Sequence, residues 1–179
     1  MLVEFHKACI FTVPKYIPYS KIYFELENAY YKTVGYREDN GKIESTDNYL
    51  ARMKAYVTLY AAIIQTDIPG VNNLHGVKDG WAWMAQFLNA LSPNRFTAAA
   101  LEIFLKIAGF RLFQAYPKPF TKNLNALSRE FIDRLKSQND PDSNPVISNL
   151  ETYLISQQFR KEPEGRALAI TDESKSLRA

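Results

Sequence analysis

Between Tyr49 and Ile64 large apolar residues return at every third or fourth position: Tyr49, Met53, Tyr56, Val57, Tyr60, Ala61 and Ile64. That interval fits the turn of an α-helix and not the two-residue repeat of a strand. Ser45, Thr46 and Asp47 stand just ahead of it with oxygens suited to capping. The second half of the run, AYVTLYAAII, is apolar nearly all round. A helix of that kind needs neighbours on several sides, so this one is predicted to be central to a stack of helices.

The rest of the chain follows the same period. Residues 1–11 read as the end of one helix, and Pro14 and Pro18 then hold an extended connection. A second helix is predicted from about Lys21 to Val34, ending at Gly35, and the loop REDNGK follows, with Asn40 and Gly41 tolerating positive φ. After the loop TDIPGVNNL a helix runs from about Val77 to Leu91. Asn94 caps the next, through about Gly109 and beyond; YPKP interrupts the chain. Further helices are expected over about 120–137 and 146–159, separated by the turn NDPDSNP. Strand signals are absent and no fixed-period repeat is visible. The fold class is therefore all-α, a HEAT-repeat-like or middle-domain-like stack of antiparallel helices. The chain opens inside an amphipathic pattern without a cap, which points to a fragment of a larger helical domain. Residues 1–159 are expected to form the helical unit and 160–179, polar and mixed in charge, a loosely ordered tail.

Composition removes whole classes of function. A chain of 179 residues that is 46% hydrophobic can bury one sizeable core. Its net charge of +3 arises from 22 basic and 19 acidic residues spread along the sequence, so no dense block marks it for bulk nucleic-acid binding. Cys9 is the single cysteine, which excludes an internal disulfide and fits a reducing compartment. His6, Cys9 and His75 are the only soft metal donors, fewer than the about four of a closed zinc site. FTAAALEIFLKIAGFRLF is broken by Glu102, Lys106 and Arg111, short of the about 18–20 apolar residues that span a bilayer, so no membrane insertion is expected.

One stretch looks chemical, HGVKDGWAWMAQFLN at 75–89. His75 and Asp79 could be cast as base and orienting acid with Ser92 or Thr97 as nucleophile. The spacing also suits a first-turn aspartate at a helix N-terminus, and Gly76 and Gly80 permit close backbone approach in front of an apolar stripe of Trp81, Met84, Phe87 and Leu88. Packing is the better account, because only one element of an active site is present. His75, Gly76, Gly80, Trp81, Trp83 and Gln86 are accordingly read as a structural motif and no residue as catalytic. Glycines at phosphate-loop spacing are missing, and the carboxylate pairs Glu25 with Glu27 and Glu162 with Glu164 would face different sides of a helix. The eleven tyrosines and eleven phenylalanines fall mostly at helical spacing, as core residues do.

In this order, the runs GKIESTDNYLARMKAYVTLYAAIIQ, HGVKDGWAWMAQFLN and FTAAALEIFLKIAGFRLFQAY, with HKAC and VP near the start, resemble the carboxy-terminal domain of the Gle-one family, nuclear-pore mediators of messenger RNA export. The similarity covers about residues 4–157. The resemblance implies a non-enzymatic activator that binds a DEAD-box RNA helicase on the cytoplasmic face of the nuclear pore and, with inositol hexakisphosphate at the interface, stimulates ATP turnover and RNA release. It also implies docking of an FG-repeat nucleoporin and links to translation initiation and termination factors, with no direct nucleic-acid contact. In the family lysines hold the inositol phosphate, several of them ahead of where this chain begins. Here the resemblance points first to Lys7, in HKAC, and then to Lys15 and Lys21. A helical scaffold of another RNA-metabolism factor that binds a helicase without inositol phosphate stays open beside this reading, as does a direct RNA binder.

Overall fold

A computed structural model describes residues 31, 35–66, 73, 75–90 and 93–163. The helices expected over 1–11 and 21–34 fall almost wholly outside them. The described part is helical except at its start, where β1 (Glu38–Asp39) and β2 (Lys42–Ile43) form a short antiparallel hairpin. Its turn is Asn40–Gly41, with φ of 49° and 78°. Positive φ at both positions gives a turn whose twist suits paired strands, so the expected loop closes as a hairpin instead.

α1 (Thr46–Gln65) is capped by Ser45, whose hydroxyl accepts from the Asn48 N–H, and buries Tyr49, Met53, Val57, Tyr60, Ala61 and Ile64. Tyr56 is half-buried, while Ala51, Ala55, Thr58 and Leu59 are exposed. Among the described residues, the neighbours expected on several sides of α1 leave this one face uncovered. α2 (Val77–Ala90) and α3 (Arg95–Ala115) follow. Among the described residues α3 and not α1 is the central helix: it touches α1, α2, α4 (Pro117–Ala126) and α6 (Asn144–Ile155). Its run of Ala98, Ala99 and Ala100 keeps the cylinder thin, so neighbours approach closely, and Leu101, Phe104, Leu105, Ala108 and Leu112 complete the buried surface. Glu102, one of the charges that interrupt this apolar run, is 6% exposed and receives the Lys106 ammonium at 2.6 Å one turn on. Pairing makes the buried carboxylate tolerable.

Pro117, whose missing N–H costs nothing at a first helical position, starts α4 earlier than expected. α4 runs on through a wide i→i+5 segment, Leu127–Ile132, into α5 (Asp133–Ser137). α6 ends before Gln157, whose φ of 50° stops the helix four residues ahead of the expected limit; Phe159 then folds back beside Phe113, Phe120 and Tyr153. At the α3–α6 crossing the Tyr153 hydroxyl donates to the Leu105 carbonyl at 2.8 Å, and burial pushes that phenol well above its usual range. A side chain at Gly109 would overlap this hydroxyl.

Candidate functional site

The 75–89 segment begins where α1 hands over to α2. Asn73 donates through Nδ2 to the carbonyls of Ile63 and Thr66, both at 3.0 Å, and accepts the His75 N–H at 3.0 Å on Oδ1. One amide side chain thus ties the end of α1 to the start of α2. His75 Nδ1 lies 3.6 Å from the Asp79 carboxylate, with Asp79 in the first turn of α2. Thr97, one of the two hydroxyls considered for that pair, is fully buried in the capping box of α3. Its Oγ1 accepts from the Asn94 N–H and donates to the Asn94 carbonyl, while Asn94 Oδ1 accepts from the N–H groups of Phe96 and Thr97 at 2.9 Å. That hydroxyl is committed to helix initiation. Ser92 lies outside the described residues.

Gly80 has the strictest steric role in the segment. A Cβ there would stand 2.6 Å from Ile64 Cγ2 and 3.6 Å from the Phe104 ring, so its absence lets α2 settle between α1 and α3. Trp83 fills the space beside it, with ring centroids 4.4 Å from Phe104, 4.8 Å from Phe87 and 5.8 Å from Tyr60. The buried arc is therefore Gly80, Trp83, Met84 and Phe87, while Trp81 and Leu88, expected in it, are half-buried at its edge. Two further expectations need correction. Gly76 approaches the Asn73 carbonyl of its own loop, at 3.4 Å, and no neighbouring helix. Gln86 is exposed and serves no internal packing, because it stands just past the edge of the buried arc.

Trp81 and Leu88 instead face α4. With Leu127 and Phe131 they floor an open groove of about 260 Å³, rimmed by Asn89, Asn123, Glu130 and Arg134. At the opposite end of α1, Arg52 clasps the hairpin, donating to the Gly35 carbonyl at 3.0 Å and to the Glu44 carboxylate. Partial burial alone would raise the Glu44 carboxyl; the Arg52 hydrogen bond, the Arg37 N–H at 2.7 Å and the charges of both arginines outweigh it and hold the group below the usual carboxylate range. Tyr36 stacks on Tyr49 at 4.1 Å beneath this clasp. Arg52 and Asn73 were both missed as positioning residues; polar side chains within a helix and a loop carry no period to reveal a partner many residues away. Lys7, Lys15 and Lys21 lie outside the described residues, as do His6 and Cys9. Among the described residues no three potential metal ligands gather, and no helix is long and apolar enough to cross a membrane.

The family model for GLE1-like protein matches residues 1–128. The mRNA export factor GLE1 of Arabidopsis thaliana is 39% identical over 174 residues, which cover 96% of this chain and 25% of that protein. The mRNA export factor GLE1 of Danio rerio is 38% identical over 138 residues, 75% of this chain and 20% of its own. The chain thus spans a quarter or less of the length of these relatives. In fold it resembles a chain of the solved complex of a variant S. cerevisiae Dbp5 C-terminal domain bound to Gle1 and IP6, with a TM-score of 0.65 and 19% identity over 84% of this chain and 53% of that one. A second such complex, with an altered Gle1, gives a TM-score of 0.66 at 18% identity over 88% of this chain and 58% of that one. The chain belongs to the GLE1-like protein family.

Proposed function

We propose that this chain is part of an mRNA export factor at the cytoplasmic face of the nuclear pore, where it binds and activates a DEAD-box helicase together with inositol hexakisphosphate. The observation that carries this reading is the match to chains of the Dbp5–Gle1–IP6 complexes over 84% and 88% of this chain, supported by 39% identity to an mRNA export factor. Residues 1–159 act as one unit of the helicase-binding domain, with 160–179 as a polar tail. An FG-repeat nucleoporin and the helicases of translation initiation and termination are further partners of the same domain.

The mechanism is one of selective binding. An activator shifts a motor only by as much as it prefers one of the motor's conformations, and that preference needs a surface which does not deform. α3, buried by four other helices, provides the stiffness. When bound, the inositol polyphosphate supplies concentrated negative charge between two basic protein faces. Lysine ammonium groups are suited to phosphate oxygens through charge-assisted hydrogen bonds. Lys7 contributes first among these, then Lys15 and Lys21. The module breaks no bonds itself; the Thr97 hydroxyl, held in its cap, supports that part of the reading.

The test is calorimetric titration of inositol hexakisphosphate into the complete domain with the helicase present, for the parent and Lys7→Ala. Affinity is expected to drop about five- to tenfold, the loss of one charged contact worth about 1–1.5 kcal/mol. An unchanged affinity removes Lys7 from the site. No inositol phosphate binding at all by the parent favours the scaffold that works without it.

A further inference from the structure

From Ile103 to Arg129 the chain carries Lys106, Arg111, Lys118, Lys122 and Arg129 and no acidic residue. Lys106 is taken up by Glu102. Lys118, Lys122 and Arg129 are exposed, and among the described residues none of the three forms an ion pair. Lys118 and Lys122 stand one turn apart on α4, and Arg129 follows in the wide segment that continues it, so the three form a cationic ridge along this stretch. The 118–134 stretch holds four basic side chains against Glu130 and Asp133, so the ridge keeps a net +2 with both acids counted.

Beside this ridge on the same helix lies the groove floored by Trp81, Leu88, Leu127 and Phe131. The i→i+5 segment forms its wall, and such wide turns recur at functional positions because they displace side chains from the regular helical phase. An apolar hollow of about 260 Å³ takes one large side chain, and a neighbouring row of ammonium and guanidinium groups takes carboxylates. We propose that the groove between α2 and α4 docks a short acidic segment of a partner protein, with one aromatic or leucine side chain in the hollow and its flanking aspartates or glutamates against Lys118, Lys122 and Arg129. The charge of the ridge selects this occupant: a neutral segment leaves three exposed cations unused, and a nucleic acid leaves the apolar floor with little to bury. The inference does not depend on the inositol phosphate or helicase reading.

The test is selection of random peptides of about twelve residues displayed on phage against the full chain, followed by titration of the selected sequences as synthetic peptides. Expected is a consensus in which Phe, Trp or Leu stands within about three residues of two or more acidic positions. Its dissociation constant should rise at least about tenfold with Lys122→Glu combined with Arg129→Glu, and again when the peptide's anchor becomes alanine. Both substitutions are at exposed positions, and a thermal melt matching the parent's checks that the fold is kept. A consensus without acidic residues, affinity indifferent to the charge reversal, failure to enrich any sequence, or tighter binding of a short oligouridylate than of any selected peptide overturns the proposal.

Discussion

Gly80 is where a single atom decides how the helices meet. Adding a methyl group 2.6 Å from Ile64 Cγ2 forces α2 away from α1, an overpacking cost of about 1–3 kcal/mol. Gly80→Ala should therefore lower the melting temperature by several degrees, whereas Gly76→Ala, whose new methyl meets nothing nearer than 3.4 Å, should stay within about 0.5 kcal/mol of the parent; equal melts for the two would refute the steric account. Glu44 makes a pH-dependent contribution. Its folded carboxyl sits below the ordinary value of 4.5, so the stabilisation is complete above that value and is lost as pH falls through the folded one. Urea midpoints of the parent and Glu44→Gln should differ at about pH 6 and draw together as the pH falls below 4.5 and through the folded value; a constant gap would mean the Arg52 clasp is not ionic. The packing role of the 75–89 segment was readable at Gly80 and Trp83, because glycine and tryptophan one turn apart leave few alternatives to a close crossing. The roles of Gly76 and Gln86 were not, since a motif string does not say which side of a helix meets the core.

At the scale of elements, α3 owes its start to the reciprocal bonds of Asn94 and Thr97, and the sequence announces that start plainly. Asn94→Ala should cost about 1 kcal/mol in chemical denaturation, and Thr97→Val, which also leaves the Asn94 N–H without its acceptor, at least as much. Denaturation midpoints equal to the parent's would show that the box is incidental. Helix positions were legible throughout 46–155 because the 3.6-residue period is long and strong there. Which helix lies at the centre was not legible. The charges at 102, 106 and 111 interrupt its apolar run, and the Glu102–Lys106 pair shows how a carboxylate is nevertheless buried in α3. The wide turn at 127–132 gave no warning either, since LSREFI has ordinary helical composition. The hairpin at 38–43 is too short for any alternation to appear, although Asn40–Gly41 marked its turn.

For the whole molecule, the proposed role is that of a stiff helical platform that biases a partner motor. The described core joins α1, α2, α3, α4 and α6 through one continuous apolar cluster, which is what such a platform requires. The measurement that bears on this most directly is the ATPase rate of the partner DEAD-box helicase with RNA and the complete domain, with and without inositol hexakisphosphate. The account predicts stimulation by the domain that rises further when inositol hexakisphosphate is added, with no ATP turnover by the domain alone. Helicase rates unchanged by the domain in both conditions would contradict it.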